Sequence, residues 1–297
     1  MKRTLTAIAA LVASALVGTS AASAGDGYSP SEKLIFGSVS QYTLGHRDLD
    51  STDEASGHTF EFTSTSAYNI PIWNSFSIQL DGASEYYTGL NGHADVNSNS
   101  AVGLHLSYRN PNRGLVGIFG GYAWSKLKSG HGDDSYQMAM IGAEAQAYLG
   151  NLTLYGQVGY GNNTKGAVGE GFNEGWFVRG VGRYFFTANT KLEAELSYAE
   201  ADPYIDGNDK GKFTGWAVSL DHKLFDVRSY PVYGTLGYRG AYYDATTEND
   251  HATEHVFKAG IKVLLGANTL QQNDRYGATL DLPMLPVRAN SLAENID

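Results

Sequence analysis

The feature that most constrains the fold of this chain is an alternation of apolar with small or polar residues that has a period of two. It is clear in Ala101–Tyr108, where valine, leucine and tyrosine alternate with alanine, glycine, histidine and serine. The stretches Lys191–Tyr198 and Val256–Leu265 alternate in the same way. Because successive side chains of a β-strand point to opposite faces, the pattern predicts strands with one apolar and one small or polar face.

About twelve such runs can be counted, and they predict an all-β protein: a transmembrane, antiparallel, up-and-down β-barrel, with roughly ten to fourteen strands compatible with the pattern. The predicted strands are 34–44, 58–66, 74–87, 98–109, 114–126, 135–149, 151–162, 174–186, 190–200, 212–224, 231–243 and 253–266. Short connections at 110–113, 150–151 and 187–189 alternate with longer polar ones near 45–57, 88–97, 127–134, 163–173, 201–211 and 244–252. Short periplasmic turns and longer outside loops alternate in this way in outer-membrane barrels.

One hairpin can be checked from the sequence itself. A two-residue turn at Gly150-Asn151 would place Tyr148 opposite Thr153 and Leu149 opposite Leu152. The same register continues as polar pairs on one face (Gln146 with Tyr155, Glu144 with Gln157) and an apolar pair on the other (Ala147 with Leu154). A register that pairs polar with polar and apolar with apolar is the one a half-buried sheet requires.

Aromatic residues form two predicted girdles on the apolar faces. Those at the strand ends joined by long loops are Tyr86, Trp124, Tyr160, Trp176, Tyr198, Trp216 and Tyr242, and those at the short-turn ends include Tyr108 and Tyr184. Aromatic side chains are favoured at both interfaces of a bilayer. This sorting favours a membrane barrel over the main alternative, a secreted soluble β-sandwich.

On these patterns, residues 30–266 resemble the bacterial outer-membrane β-barrel class of small porin-like type, without a motif of one specific family. The resemblance implies that the assembly machinery reads the last strand, here Phe257–Leu265. Many members of the class end on that strand with Phe or Tyr, whereas this chain continues through residues 267–297. Those residues are expected to form a periplasmic tail or a plug, and Tyr276–Leu282 as a further strand is the alternative.

The N-terminus predicts export. Lys2 and Arg3 precede an apolar run at Leu5–Val17, and Ala22-Ser23-Ala24 fits a signal-peptidase site. The run is too short for a permanent spanning helix. We therefore expect residues 1–24 to be a signal peptide cleaved near Ala24, residues 25–266 to be the barrel, and the mature protein to reside in the cell outer membrane.

Charged residues on the non-apolar faces would point into the lumen, because charges facing lipid are costly. The predicted pore-lining residues are Asp81, Glu85, His105, Glu144, Arg179, Arg183, Glu193, Glu195, Asp221, Lys223, Arg239, Lys258 and Lys262. Within this set, Arg183 should lie opposite Glu193 or Glu195. Lys223, Arg239, Lys258 and Lys262, all on the last three strands, should form a basic wall.

These lumen charges predict a passive, porin-like channel for small hydrophilic solutes or ions. The main alternative is a closed structural or adhesion barrel, in which the same charges form salt bridges and the loops carry the function. A lipid hydrolase using His105 and Ser107 is a third hypothesis, but no third catalytic partner can be named. The overall prediction is therefore a protein without enzymatic activity.

Other chemistry and partners are limited by what the sequence lacks. The histidines have no metal-ligand spacing, and the glycine-rich stretch 166–175 lacks a phosphate-loop lysine, so neither a metal nor a cofactor is predicted. The net charge of −10 argues against nucleic acid. The expected partners are outer-membrane lipid, lipopolysaccharide and the barrel-assembly machinery. Acidic residues in the predicted loops, Glu254 among them, are expected to be solvated, with divalent-cation binding or bridging to lipopolysaccharide as the alternative.

Overall fold

The computed structural model describes residues 33–52, 56–88, 96–129, 132–165, 173–202, 210–244 and 251–293. The predicted signal peptide and the centres of several predicted loops lie outside these residues. The strands are β1 Gly37–Ser51, β2 Gly57–Pro71, β3 Phe76–Thr88, β4 Val96–Asn110, β5 Gly114–Ser129, β6 Gly132–Leu149, β7 Leu152–Lys165, β8 Glu174–Thr187, β9 Thr190–Asp202, β10 Gly211–Val227, β11 Tyr230–Asp244 and β12 His251–Leu265. Two helices follow, α1 Leu270–Tyr276 and α2 Leu285–Ala293.

Each strand pairs antiparallel with its neighbours in sequence, and β1 pairs with β12 from Ser38 opposite Leu265 to Ser51 opposite Ala252. The sheet is therefore closed and has no free edge. This architecture confirms the predicted twelve-stranded, up-and-down, antiparallel barrel. We call the end with the two- to four-residue connections the turn end and the opposite end the loop end.

The predicted hairpin at Gly150-Asn151 is confirmed pair by pair. Leu149 lies opposite Leu152, and Tyr148 lies opposite Thr153. Gly150 has a φ of 61°, in the left-handed region that glycine enters without a steric penalty. Local sequence alone therefore determines the register of β6 and β7, including the alanine-rich β6.

Several strands extend further than predicted. The prediction ended the first strand at 44 and placed a loop at 127–134, whereas β1 reaches Ser51 and β5 and β6 pair as far as Ser129 opposite Gly132. These additions lie towards the loop end and are rich in polar residues. The predicted loop boundaries were wrong because backbone hydrogen bonds continue the ladder beyond the apolar band, which is the part that alternation detects.

The outer face of the barrel is apolar. Leu196 is 70% exposed, Ile141 is 67% exposed and Phe257 is 63% exposed. A continuous belt of exposed large apolar side chains is unusual for a protein surrounded by water, whereas a lipid-facing surface requires one. All nine predicted girdle aromatics lie on this outward face and are exposed or half-buried. Their contact with the lipid interfaces remains a prediction.

The chain re-enters the barrel after β12. Thr269 caps α1 by accepting a hydrogen bond from the Gln272 backbone, and the Gln271 backbone donates to Ala188 in the β8–β9 turn. α2 packs against side chains at the loop end. Residues 267–293, which we call the inner segment, therefore run through the lumen from the turn end to the loop end. Neither helix of the described chain has the length and apolar character needed to cross a bilayer.

Candidate functional site: the charged lumen and the inner segment

The lumen is lined by the strand face opposite the apolar belt. All thirteen predicted pore-lining residues occupy inward-facing strand positions. They do not form one continuous lining, because their side chains gather into separate ionic clusters. Three of them, Glu85, Arg179 and Arg183, pair with residues of the inner segment.

The first cluster lies towards the loop end and centres on Arg239 of β11. Its guanidinium donates hydrogen bonds to Glu61 (Nη2–Oε2, 2.8 Å), Glu85 (Nη1–Oε1, 3.2 Å) and Glu254 (Nη2–Oε1, 2.9 Å). Arg47 also donates to Glu254, at 2.5 Å. One arginine thus joins three strands across the lumen, and its removal would leave buried carboxylates without their shared cation.

The inner segment completes this cluster. Arg288 of α2 donates from Nε to Glu85 Oε1 at 3.0 Å. We call the seven residues that meet here the loop-end cluster: Arg47, Glu61, Glu85, Arg239, Glu254, Lys258 and Arg288.

The second cluster lies towards the turn end and centres on Arg183 of β8. Its Nε lies 2.9 Å from Glu193 Oε2, so the predicted pairing is confirmed with Glu193 as the partner. Glu195 pairs instead with Arg179, at 2.8 Å. Arg183 also donates to two carboxylates of the inner segment, Asp274 (3.0 Å) and Asp281. The strand wall and the inner segment are therefore joined through one guanidinium.

Two lysines extend the turn-end cluster. Lys191 Nζ lies 2.8 Å from Glu193 and 3.2 Å from Asp221, and Lys262 also pairs with Asp221. Asp221 is completely buried and accepts a further hydrogen bond from Thr235. These contacts link β9, β10, β11 and β12 below the inner segment.

Asp281 is the most constrained carboxylate of the inner segment. Burial alone would raise its pKa, but Arg183 and then Arg179 outweigh that effect and hold the pKa below its usual range. Asp281 is therefore ionised while the segment is in place. Neutral contacts secure the same region, since Gln79 and Gln157 donate to the Thr279 and Asp281 carbonyls at 2.8 Å.

A third group surrounds His105. Its Nδ1 lies 2.9 Å from Glu144, and its Nε2 lies 2.9 Å from Asp81, with an angle too poor for a hydrogen bond. Tyr155 donates to Glu144 at 2.7 Å, and the imidazole stacks on Phe119. This buried set ties β3, β4, β6 and β7 together.

The geometry does not support a hydrolase at His105 and Ser107. Both ring nitrogens of His105 face carboxylates, so neither is available to take a proton from a serine. The Ser107 hydroxyl is 3.2 Å from the Ser77 hydroxyl. Among the described residues, no group of three histidine, aspartate or glutamate side chains is arranged to hold a metal ion.

The predicted basic wall is wrong. Arg239 is surrounded by glutamates, Lys262 is paired with Asp221, and Lys223 pairs at 2.8 Å with Asp226 near the turn end. Asp221, Asp226 and Glu254, which lie on the last three strands themselves, neutralise part of this charge. Glu61 of β2 and Glu85 of β3 reach Arg239 from other strands, which a prediction restricted to the last three strands does not include. Lys258 is the exception, because no ion pair or hydrogen bond joins it to another described residue.

Several lumen residues were missed. Glu61 alternates with Phe60 and Phe62, so the periodic pattern could have identified it. Arg47 lies beyond the predicted end of the first strand. The prediction that Glu254 belongs to a solvated outside loop is wrong, because Glu254 is buried in the loop-end cluster. Asp274, Asp281 and Arg288 of the inner segment carry no periodic signal.

The loop end of the lumen is closed by apolar contacts. Leu285, Ala289 and Leu292 of α2 occupy one helical face and pack in a cluster that includes Leu49, Tyr87, Tyr136 and Tyr243. We call this group the apolar collar. It fills the lumen where the long loops begin, so this conformation is occluded at its loop end.

A cavity lined by both charged and apolar side chains remains beside the inner segment. Its volume is about 190 Å³, and it lies between that segment and the walls that include β9–β12. Its ionisable lining comprises seven cationic side chains (Arg179, Arg183, Lys191, Arg239, Lys258, Lys262 and Arg288) and four acidic ones (Asp81, Glu193, Glu195 and Asp274). The lumen is thus neither filled completely by side chains nor apolar.

No family model matches the chain, and no curated protein matches its sequence. Among solved structures, the COG4313 outer membrane channel from Pseudomonas putida F1 superimposes with a TM-score of 0.55 at 11% identity, covering 80% of this chain and 99% of the channel. The translocator domain of autotransporter NalP from Neisseria meningitidis gives 0.46 at 11% identity, over 88% of this chain and 95% of that one. The KdgM porin in complex with disordered oligogalacturonate gives 0.40 at 13% identity, over 74% and 97%. At 11% identity, the likeness to the COG4313 channel concerns the fold alone. It agrees with the strand topology, so the chain has the fold of the bacterial outer-membrane β-barrel class.

Proposed function

We propose that this protein is a passive, porin-like channel of the outer membrane for small hydrophilic solutes or ions, and that residues 267–293 restrict its lumen. The observation that carries the proposal is the charged cavity of about 190 Å³ beside the inner segment. A twelve-stranded barrel is wider than the eight-stranded ones that side chains can fill. The likeness to a structure named an outer membrane channel supports the same class of function.

The inner segment has to move for solutes to cross, since the apolar collar occludes the loop end. Its attachment suits reversible displacement. The contacts to Arg183, Glu85 and the glutamines are non-covalent, and water entering the lumen would solvate the groups they leave. In this proposal the export signal is removed near Ala24, the outward belt contacts lipid and lipopolysaccharide, and the assembly machinery inserts the barrel.

A closed structural or adhesion barrel is the second candidate. The apolar collar and the dense ionic clusters favour it, because both would stabilise a permanently filled lumen. Enzymatic activity is not part of either proposal, given the arrangement around His105 and Ser107.

Planar-bilayer conductance of the refolded chain would separate the two candidates. We expect brief or rare unitary steps from the full chain, and larger steps that persist from a variant ending at Gly266. A variant lacking only residues 294–297 serves as the control and should behave like the full chain. A heat-modifiable, folded barrel without steps in the Gly266 variant would reject the channel and favour the closed barrel.

A further inference from the structure

Among the residues that the structure describes, one cation of the cavity, Lys258, forms no ion pair or hydrogen bond. We propose that Lys258, together with Ser219, forms a binding site for a small carboxylate-bearing anion. The site itself does not require a conducting channel. Its role as the site that selects small carboxylates for transport rests on the proposed channel function.

The first step is the pairing of the cavity cations. Of the seven that line the cavity, Arg179, Arg183, Lys191, Arg239, Lys262 and Arg288 each contact a carboxylate. Lys258 is half-buried, and no ion pair or hydrogen bond links it to any part of the chain that the structure describes. It is therefore the cation available to a ligand.

The second step is the charge of its surroundings. The loop-end cluster contains four cations, Arg47, Arg239, Lys258 and Arg288, and three carboxylates, Glu61, Glu85 and Glu254. With all groups charged, one positive charge is left over. A partly buried charge is stabilised by an opposite charge or by water, so a bound anion would neutralise the surplus without breaking an existing pair.

The third step is the shape of the wall around Lys258. Ser219, Gly237 and Lys258 lie side by side on β10, β11 and β12, in direct register. A Cβ atom at Gly237 would lie 3.4 Å from both Lys258 Cε and Ser219 Cβ. The missing side chain therefore leaves a recess flanked by an ammonium group and a hydroxyl, both able to donate hydrogen bonds.

The two donors select the ligand. A carboxylate presents two acceptor oxygens and can take one hydrogen bond from each side of the recess. The cavity volume of about 190 Å³ exceeds the roughly 30 Å³ share of one water molecule several-fold, so a short dicarboxylate is a suitable size. Succinate is accordingly the probe for the test.

The test is isothermal titration of sodium succinate into the folded, full-length chain in detergent micelles. We expect saturable binding that Lys258→Arg retains and Lys258→Gln weakens about tenfold or more, the range for a lost hydrogen bond to a charged group. Lys223→Gln is the matched control, because it removes an inward lysine that lies outside the cavity and is paired with Asp226. The Lys223→Gln variant should bind succinate with the same affinity as the unmodified chain.

A second variant guards against misfolding of the first. Gly237→Ala should fold, since its new methyl group makes only ordinary contacts, but it places that methyl group in the recess and should weaken succinate binding. Absence of binding to the unmodified chain, or equal affinity in Lys258→Gln, would overturn the site. Succinate binding that depends on Lys258, in a barrel that conducts neither as the full chain nor as the Gly266 variant, would reject the channel function and leave the site intact.

Discussion

Asp281→Asn should release the inner segment while leaving the barrel folded. The substitution keeps the size of the side chain but removes the charge that contacts Arg183, with Arg179 at 3.5 Å. Arg183 retains Glu193 and Asp274, so the loss is closer to a charge-assisted hydrogen bond, about 1.5–3 kcal/mol, than to a fully broken buried pair. A coupling of about 1.5–3 kcal/mol changes a two-state equilibrium by roughly 10- to 150-fold.

The assay is the open fraction of single channels in a planar bilayer. We expect the ratio of open to closed time to increase by that factor in Asp281→Asn. Asp226→Asn is the matched control, because it removes a carboxylate that pairs with Lys223 away from the inner segment. An unchanged open fraction in a folded Asp281→Asn barrel would refute the view that this ion pair holds the segment in place.

Three further predictions concern pH, the His105 group and the β6–β7 turn. Docking of the inner segment lowers the pKa of Asp281 from its ordinary 3.8. The closed state therefore keeps its full stabilisation above about pH 4 and loses it as the pH falls through the lowered pKa. Conductance should rise on such acidification, and it should rise less in Asp281→Asn. His105→Ala leaves Asp81 and Glu144 without the imidazole between them and should lower the free energy of unfolding by about 3–5 kcal/mol, measured by urea titration in micelles. A loss under 1 kcal/mol would contradict a structural role for His105. Gly150→Ala should cost roughly 1–2 kcal/mol in the same titration, because alanine is strained in the left-handed conformation, and an unchanged midpoint would show that the turn relaxes.

Sequence periodicity predicted those parts of the fold that neighbouring strands determine. The β6–β7 register follows from a two-residue turn, and the contact between Arg183 and Glu193 follows from the short β8–β9 connection. In both cases the partners are close in sequence, so alternation and turn length suffice.

The contacts across the lumen could not be predicted in this way. Arg239 on β11 meets Glu61 on β2 and Glu85 on β3, and the contact depends on the curvature of the whole barrel. The inner segment is harder still, because its two helices are short and their partners lie on many strands. From sequence alone, the polar residues of this segment cannot be distinguished from those of a solvated tail, because their partners are brought together only by the closed barrel.

The path of the inner segment has a consequence for the order of assembly. Its polar partners lie on strands from β3 to β8, among them Gln79, Glu85, Gln157 and Arg183, and the apolar collar adds residues of β1 and β11. No partial sheet presents all of these groups at once, so the segment can reach its final position only after β12 has joined β1. Its docking would then be the last folding step, and protection of residues 267–293 from protease would report the completed barrel.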